Sequence, residues 1–76
     1  MFTDYQVMRY RRERNAVFVD MHSYNMESNI EMRFSFRKVD DACRFEHDIK
    51  DRFRRELHFR INTIIEIYNR YFMGGV

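Results

Sequence analysis

The chain has few of the residues that cross-link a small fold or interrupt its secondary structure. Its 76 residues include no proline, one cysteine (Cys43) and only two glycines, Gly74 and Gly75. A disulfide within the chain is therefore excluded, and a single cysteine is typical of a reducing compartment. No apolar run approaches the ~18 residues of a membrane span, and no basic-then-apolar signal peptide stands at the start. These absences predict a soluble, cytoplasmic protein that binds no membrane.

The length allows a single domain, which we assign to residues 1–76. A domain of this size buries only about 60% of its unfolded surface, so its stability is marginal without a partner. The apolar residues include eight Phe, five Tyr and six Met but one Leu. Large aromatic or flexible side chains can fill a small core. The formal net charge of +2 is too small to indicate nucleic-acid binding by itself.

Alternating hydrophobicity predicts an antiparallel three-stranded meander in residues 1–39. The alternation is cleanest over residues 30–37, where apolar and polar side chains change places at every step. We predict strands at 5–11, 16–24 and 29–38, with turns around residues 12–15 and 25–29. The residues expected in the core from this half are Val17, Val19, Met21, Ile30, Met32, Phe34 and Phe36.

Residues 40–76 carry the pattern of one long amphipathic helix, expected over about residues 41–72. Asp40 or Asp41 suits the N-terminus of a helix, and Gly74 suits its C-terminus. Apolar residues recur between them at a mean step of about 3.6, and acid-first charge pairs at i,i+4 support the same helix. The predicted fold class is α+β, βββα, with Phe45, Ile49, Phe53 and Leu57 in the core.

Such a helix would be roughly 50 Å long, whereas a compact body of this size is only about 30 Å across. One alternative is a break near residues 58–63 that folds the last segment back over the sheet in a monomer. The other is a helix that overhangs the sheet and packs on a second copy. The sequence favours the homodimer, because the overhanging part is the most apolar. Its expected contacts are Ile61, Ile64, Ile65, Tyr68, Tyr71 and Phe72.

A basic segment at residues 9–14 is the main candidate for a contact with a partner, at the tip of the first hairpin. Arg side chains bind phosphate through two hydrogen bonds, and a tyrosine among them can stack on a base. An acidic protein surface and a merely solvated, charged hairpin are the other interpretations. Arg54 is a further candidate, since it lacks an acid-first helix partner. The candidate contacts are Arg9, Tyr10, Arg11, Arg12, Arg14 and Arg54.

No motif predicts catalysis, a cofactor or a metal. Cys43 precedes His47 by one helical turn, but Asp40 and Asp41 oppose a thiolate there, so Cys43 is interpreted as a half-buried packing residue. His47 and His58 are too far apart along one helix to share an ion. We therefore expect a non-enzymatic interaction protein, an inhibitor or regulator of the type that viruses and mobile elements encode, which binds a host protein. The alternative is a nucleic-acid-binding regulator that uses residues 9–14.

Overall fold

The structure is a computed structural model that describes residues 5–23, 25–56 and 59–73, with the backbone alone at Phe72 and Met73. Three strands form one antiparallel sheet in the order β1-β2-β3, and two helices follow. The predicted α+β class and the meander are thus confirmed. The elements are β1 (Tyr5–Glu13), β2 (Ala16–Ser23), β3 (Ser28–Ser35), α1 (Val39–Arg55) and α2 (Ile61–Met73).

The first hairpin turns more tightly than the sequence predicts. Arg12 and Glu13 belong to β1, and only Arg14 and Asn15 connect it to β2. Arg14 adopts a positive φ of 56°, which tight two-residue turns require and which usually favours glycine. The third strand ends at Ser35 instead of residue 38, because α1 already begins at Val39.

The predicted assignment of apolar side chains to one face of the second and third strands is confirmed. Val17 pairs with Phe34 and Val19 pairs with Met32 across the ladder, with both valines fully buried. Phe34 is buried under the helices, whereas Met32 is half-buried at the rim of the sheet. Because side chains alternate between the two faces of a strand, this register directs the apolar set toward the helices.

The prediction of one long helix is wrong, because α1 ends at Arg55, Glu56 is extended, and a second helix begins at Ile61. Two contacts from another part of the chain explain the break. The Val7 N–H donates to the Phe59 carbonyl at 2.8 Å, and Gln6 forms an isolated antiparallel bridge with Arg60. The Phe59 side chain is itself buried. The backbone of Phe59 and Arg60 therefore bonds to the edge of β1. In a continuous helix the same backbone groups would bond within the helix.

The fold-back gives α2 an apolar partner within its own chain. Ile61 and Ile64 are fully buried, and Ile65, Tyr68 and Tyr71 pack half-buried against the core. The expected dimer contact through these side chains is therefore corrected: the domain core uses them. The Phe72 side chain, also named in that expectation, lies outside the described residues. These α2 side chains therefore do not form the exposed apolar surface that a dimer through the helix would need.

An aromatic cluster joins the two helices to the end of β3. Its ring centroids lie between 4.8 and 5.9 Å apart, a spacing at which edge-to-face contacts add to apolar burial. The Tyr68 hydroxyl donates to the Ser35 carbonyl at 2.9 Å, and that of Tyr71 donates to Asp48 at 3.0 Å. The rings belong to Phe34, Phe36, Phe45, Tyr68 and Tyr71.

Four expected core residues are not among the buried core, and two of them, Ile30 and Met32, are half-buried and pack against it. Phe53 remains 37% exposed and lies at the rim, with its ring 5.8 Å from that of Tyr10 and 6.1 Å from that of Phe59. Leu57 lies outside the described residues. Phe59 occupies the core near the break instead. No helix in the described part of the chain is long and apolar enough to span a membrane.

Candidate interaction surface

The helices cover only one face of the sheet. Val17, Val19 and Met21 of β2 point into the core, so the intervening side chains point to the other side. Strand pairing places residues of β1 and β3 beside them in rows. We call this side, which no helix in the described part of the chain covers, the open face. Its central side chains are Arg9, Arg11, Phe18, Asp20, Glu31 and Arg33.

One row of the open face holds an aromatic ring between two arginines. Phe18 stands in the central strand, directly opposite Arg11 on one side and Arg33 on the other. The guanidinium carbon of Arg11 lies 4.3 Å from the centroid of the Phe18 ring, and that of Arg33 lies 5.9 Å from it. Such contacts are worth about 0.5–1 kcal/mol at exposed sites. They favour one arrangement of the half-exposed Phe18 ring and the two cationic groups, which we call the Arg–Phe–Arg row.

The neighbouring row is a network of ion pairs. Arg9 donates through Nε to Asp20 at 2.6 Å, and Arg11 donates through Nη1 to Glu31 and through Nε to Glu13, each at 2.9 Å. The hydrogen bond from Arg9 lowers the pKa of Asp20 below its ordinary value. Charges of both signs therefore alternate across the open face, and most of its arginines already have a carboxylate partner.

A depression of about 590 Å³ lies beside these ion pairs, lined by Met8, Arg9, Asp20, Asn29 and Glu31 among others. Met8 is the extra residue where the pairing of β1 with β2 shifts, and it is 49% exposed. A flexible, exposed methionine beside the Arg9–Asp20 ion pair gives this depression an apolar side chain that can adapt to a partner.

The predicted basic tip is not a single cluster. Arg9 and Arg11 lie on the open face, Tyr10 and Arg12 lie on the face that the helices cover, and Arg14 lies in the turn. The alternation of side chains along a strand separates residues that are adjacent in sequence. The structure therefore divides these five candidates between the two faces of the sheet and the turn.

Arg12 and Tyr10 serve the contact between the hairpin and α1. Arg12 donates through Nε to Glu46 at 3.2 Å and through Nη1 to the Arg14 carbonyl at 2.9 Å. Tyr10 packs edge-on against Phe53. Burial, followed by the nearby charge of Glu46, raises the pKa of Tyr10. These two side chains stabilise the packing of the hairpin on α1.

Arg54, the helix candidate, is exposed on α1. Its charge is near enough to Tyr10 to lower the pKa of that phenol, against the larger effect of burial. It lies on the helix side of the domain and is not part of the open face.

Sequence reasoning missed the centre of the open face. Phe18, Asp20, Glu31 and Arg33 were not among the candidate contacts, although the alternation already placed each of them away from the core. What the sequence did not contain was the strand register, which sets Phe18 between arginines of two other strands. An aromatic residue on the polar side of a central strand was the available signal.

The thiol of Cys43 and the imidazole of His47 both lie on the exposed side of α1. Cys43 is exposed, so its interpretation as a packing residue is wrong. It lines a surface groove of about 340 Å³ with Tyr10, Glu46, His47 and Lys50. Within residues 5–23, 25–56 and 59–73, no group of three His, Cys, Asp or Glu side chains is arranged to hold a metal ion. His58 lies outside those ranges.

Comparisons with known proteins add no identity to this geometry. No protein-family model matches the chain, and no curated protein or solved structure is significantly similar to it. The functional argument therefore depends on the chemistry of the open face alone.

Proposed function

We propose that this chain is a non-catalytic interaction protein that binds another protein through its open face. The observation that carries the proposal is the Arg–Phe–Arg row, in which Phe18 stays half-exposed between Arg11 and Arg33. Aromatic residues and arginine are enriched at the energetic centres of protein interfaces. A ring whose orientation is favoured before binding also loses less conformational entropy on binding.

The charge pattern favours a protein over a nucleic acid as the partner. A phosphate backbone is bound by cations that gain affinity from releasing its counterions. On the open face Arg9 and Arg11 are already paired with carboxylates, and those carboxylates would repel phosphates. Alternating charges around an apolar centre instead match a protein surface with the complementary alternation.

The proposed role is that of an inhibitor or regulator. A rigid 76-residue domain with one prepared surface can act by covering a functional surface of a larger protein. The titratable groups with clear pKa shifts take part in ion pairs or in packing, as Tyr71 does with Asp48. Because the chain is so small, we favour an inhibitor or regulator encoded by a virus or a mobile element that binds a protein of the host cell.

The test is capture of the partner from the source cells with matched bait variants. Phe18→Ala removes the ring from the open face, whereas Phe53→Ala makes the same change on a partly exposed ring of α1. Loss of a residue at an interface centre costs about 2 kcal/mol or more, or roughly 30-fold in affinity. The wild type and Phe53→Ala should therefore retain a partner that Phe18→Ala loses. Equal retention by both variants, with all three baits folded, would contradict the proposal.

A second measurement separates the nucleic-acid alternative. Single-stranded RNA and duplex DNA are titrated with the wild type and with Arg11→Ala at low and moderate salt. Stacking on Phe18 together with phosphate contacts would give tight binding that weakens steeply with salt. We expect at most weak, sequence-independent binding, because carboxylates partner Arg9 and Arg11. Tight, salt-steep binding that Arg11→Ala weakens would replace the protein partner with a nucleic acid.

A further inference from the structure

The two edges of the sheet differ. The β1 edge is partly covered, because the Val7 N–H donates to the Phe59 carbonyl and Gln6 bridges to Arg60. A bulge at Met8 also interrupts it. Along β3, by contrast, β2 is the only strand that pairs with it in the described part of the chain. Natural sheets seldom leave a regular edge strand unprotected.

The backbone groups on the outer edge of β3 can be identified. The Phe36 N–H donates to the Asn15 carbonyl across the ladder, so residues of even number turn their backbone groups toward β2. Residues of odd number therefore turn theirs outward, as the bond from the Tyr68 hydroxyl to the Ser35 carbonyl also indicates. β3 contains no proline, lysine or bulge that would discourage pairing. Its outward backbone groups belong to Asn29, Glu31, Arg33 and Ser35.

We infer that a second copy of this chain pairs antiparallel along the β3 edge, joining two three-stranded sheets into one of six strands. The pairing is centred on Met32. Glu31 of each copy then lies directly opposite Arg33 of the other, and their outward N–H and carbonyl groups exchange the two hydrogen bonds of a close antiparallel pair.

Charge complementarity selects both the occupant and the register. The centred pairing places two Glu31–Arg33 pairs side by side on the open face, each worth roughly 0.2–1 kcal/mol. Shifting the register by one pairing step sets Glu31 against Glu31 or Arg33 against Arg33, which is unfavourable. Within the described residues Arg33 has no ion pair, and its guanidinium lies 5.9 Å from the Phe18 ring. It is therefore available to a carboxylate of another copy.

The covered face of the sheet supports the same pairing. Ile30 and Met32 are only half-buried at this edge, although they pack against the core. In the centred register Met32 meets its own copy, and Ile30 lies opposite Phe34 of the second chain. The pairing thus removes apolar surface from water on one face while it joins opposite charges on the other.

The inference does not depend on what the open face binds. It predicts that two Arg–Phe–Arg rows lie on one continuous sheet, so that a partner with repeated or two-fold related sites would be bound twice. Because the dimer is measured on the isolated protein, its failure and the failure of the proposed protein partner are distinguishable.

Charge reversal tests the inference by sedimentation at micromolar concentrations. The wild type should sediment as a dimer. Arg33→Glu and Glu31→Arg each place like charges at both crossing points, so each variant alone should dimerise at least about tenfold more weakly. An equimolar mixture of the two variants restores opposite charges and should form a heterodimer. The double variant, with both reversals in one chain, should dimerise again for the same reason.

The matched control is Arg9→Glu, the same reversal on the open face but on β1, which should leave the dimer intact. Circular dichroism of every variant checks folding, and exposed charges contribute little to stability. A wild type that sediments as a monomer overturns the inference. It is equally overturned if the single reversals leave the dimer intact, or if mixing them gives only monomers while each remains folded.

Discussion

Replacing Ile64 with alanine tests the central correction to the fold, the docking of α2 on its own sheet. The Ile64 side chain is fully buried, and cutting such a side chain back to alanine costs about 2–5 kcal/mol, because a cavity remains. A 76-residue domain has a total unfolding free energy of only about 4–11 kcal/mol. We therefore expect Ile64→Ala to lose roughly half of the stability of the domain.

Ile65 supplies the matched control, since it is the next residue of the same helix and is only half-buried. The Ile65→Ala variant should lose about 1 kcal/mol. Urea unfolding followed by circular dichroism gives both values, provided that the slope m stays the same in the two variants. We expect the midpoint of Ile64→Ala to lie clearly below that of Ile65→Ala.

The measurement also decides between a core and a contact between copies. It is made in an Arg33→Glu background, so that pairing along β3 does not contribute. If Ile64 belongs to the core of its own chain, the difference between the two variants is independent of protein concentration. Equal losses for Ile64→Ala and Ile65→Ala, or a difference that disappears on dilution, would refute the docking of α2 within one chain.

Three further outcomes follow from the local geometry. Burial, and then the hydrogen bond to Asp48, raises the pKa of Tyr71. The neutral phenol therefore stabilises the fold fully below the unfolded pKa of about 10, and this stabilisation declines as the pH rises above that value. Between about pH 9 and pH 11 the unfolding free energy of the wild type should fall more steeply than that of Tyr71→Phe. Arg14→Gly should raise stability by about 0.5–1 kcal/mol in urea unfolding, because φ is 56° there, and a loss would contradict this backbone argument. A double-mutant cycle of Arg12→Ala and Glu46→Ala should give a coupling of about 0.5 kcal/mol, as both side chains are partly exposed; a coupling near zero would mean that the pair does not hold the hairpin to α1.

The strands were predictable because burial on one face imposes a period of two. Val17, Val19 and Met21 could be assigned to the core from alternation alone, and the structure buries all three. A one-residue slip would expose the entire apolar set, so the sequence has to encode the register strongly. The order of the strands followed from the short connections between them.

The break between the helices could not be predicted from local pattern. The apolar period and the acid-first charge pairs continue across residues 56–60, and neither proline nor glycine stands there. The break comes from contacts distant in sequence, namely the burial of Phe59 and its hydrogen bond from Val7. Helix propensity differences of a fraction of a kcal/mol per residue are smaller than the gain from burying Ile61 and Ile64 in the core.

The prediction that residues 9–14 form one basic cluster was wrong for a related reason. Counting every second residue from Val7 would place Arg9 and Arg11 in the core, yet the extra residue at Met8 reverses the alternation beyond it. The bulge therefore directs Tyr10 and Arg12 toward α1 and both neighbouring arginines to the open face. A linear cluster of charge indicates a surface only when the backbone geometry between its members is known.

The core and the open face are not independent, because each strand contributes alternate residues to both. In β3 the burial of Phe34 fixes the register, and the same register sets Arg33 beside Phe18 on the other side. A slip of β3 by one residue would drive Glu31 and Arg33 into the core, where an unpaired charge costs several kcal/mol. The apolar side of the sheet therefore holds the Arg–Phe–Arg row in place. It also holds the outer edge of β3 in the one alignment that sets Glu31 opposite Arg33 of a second copy.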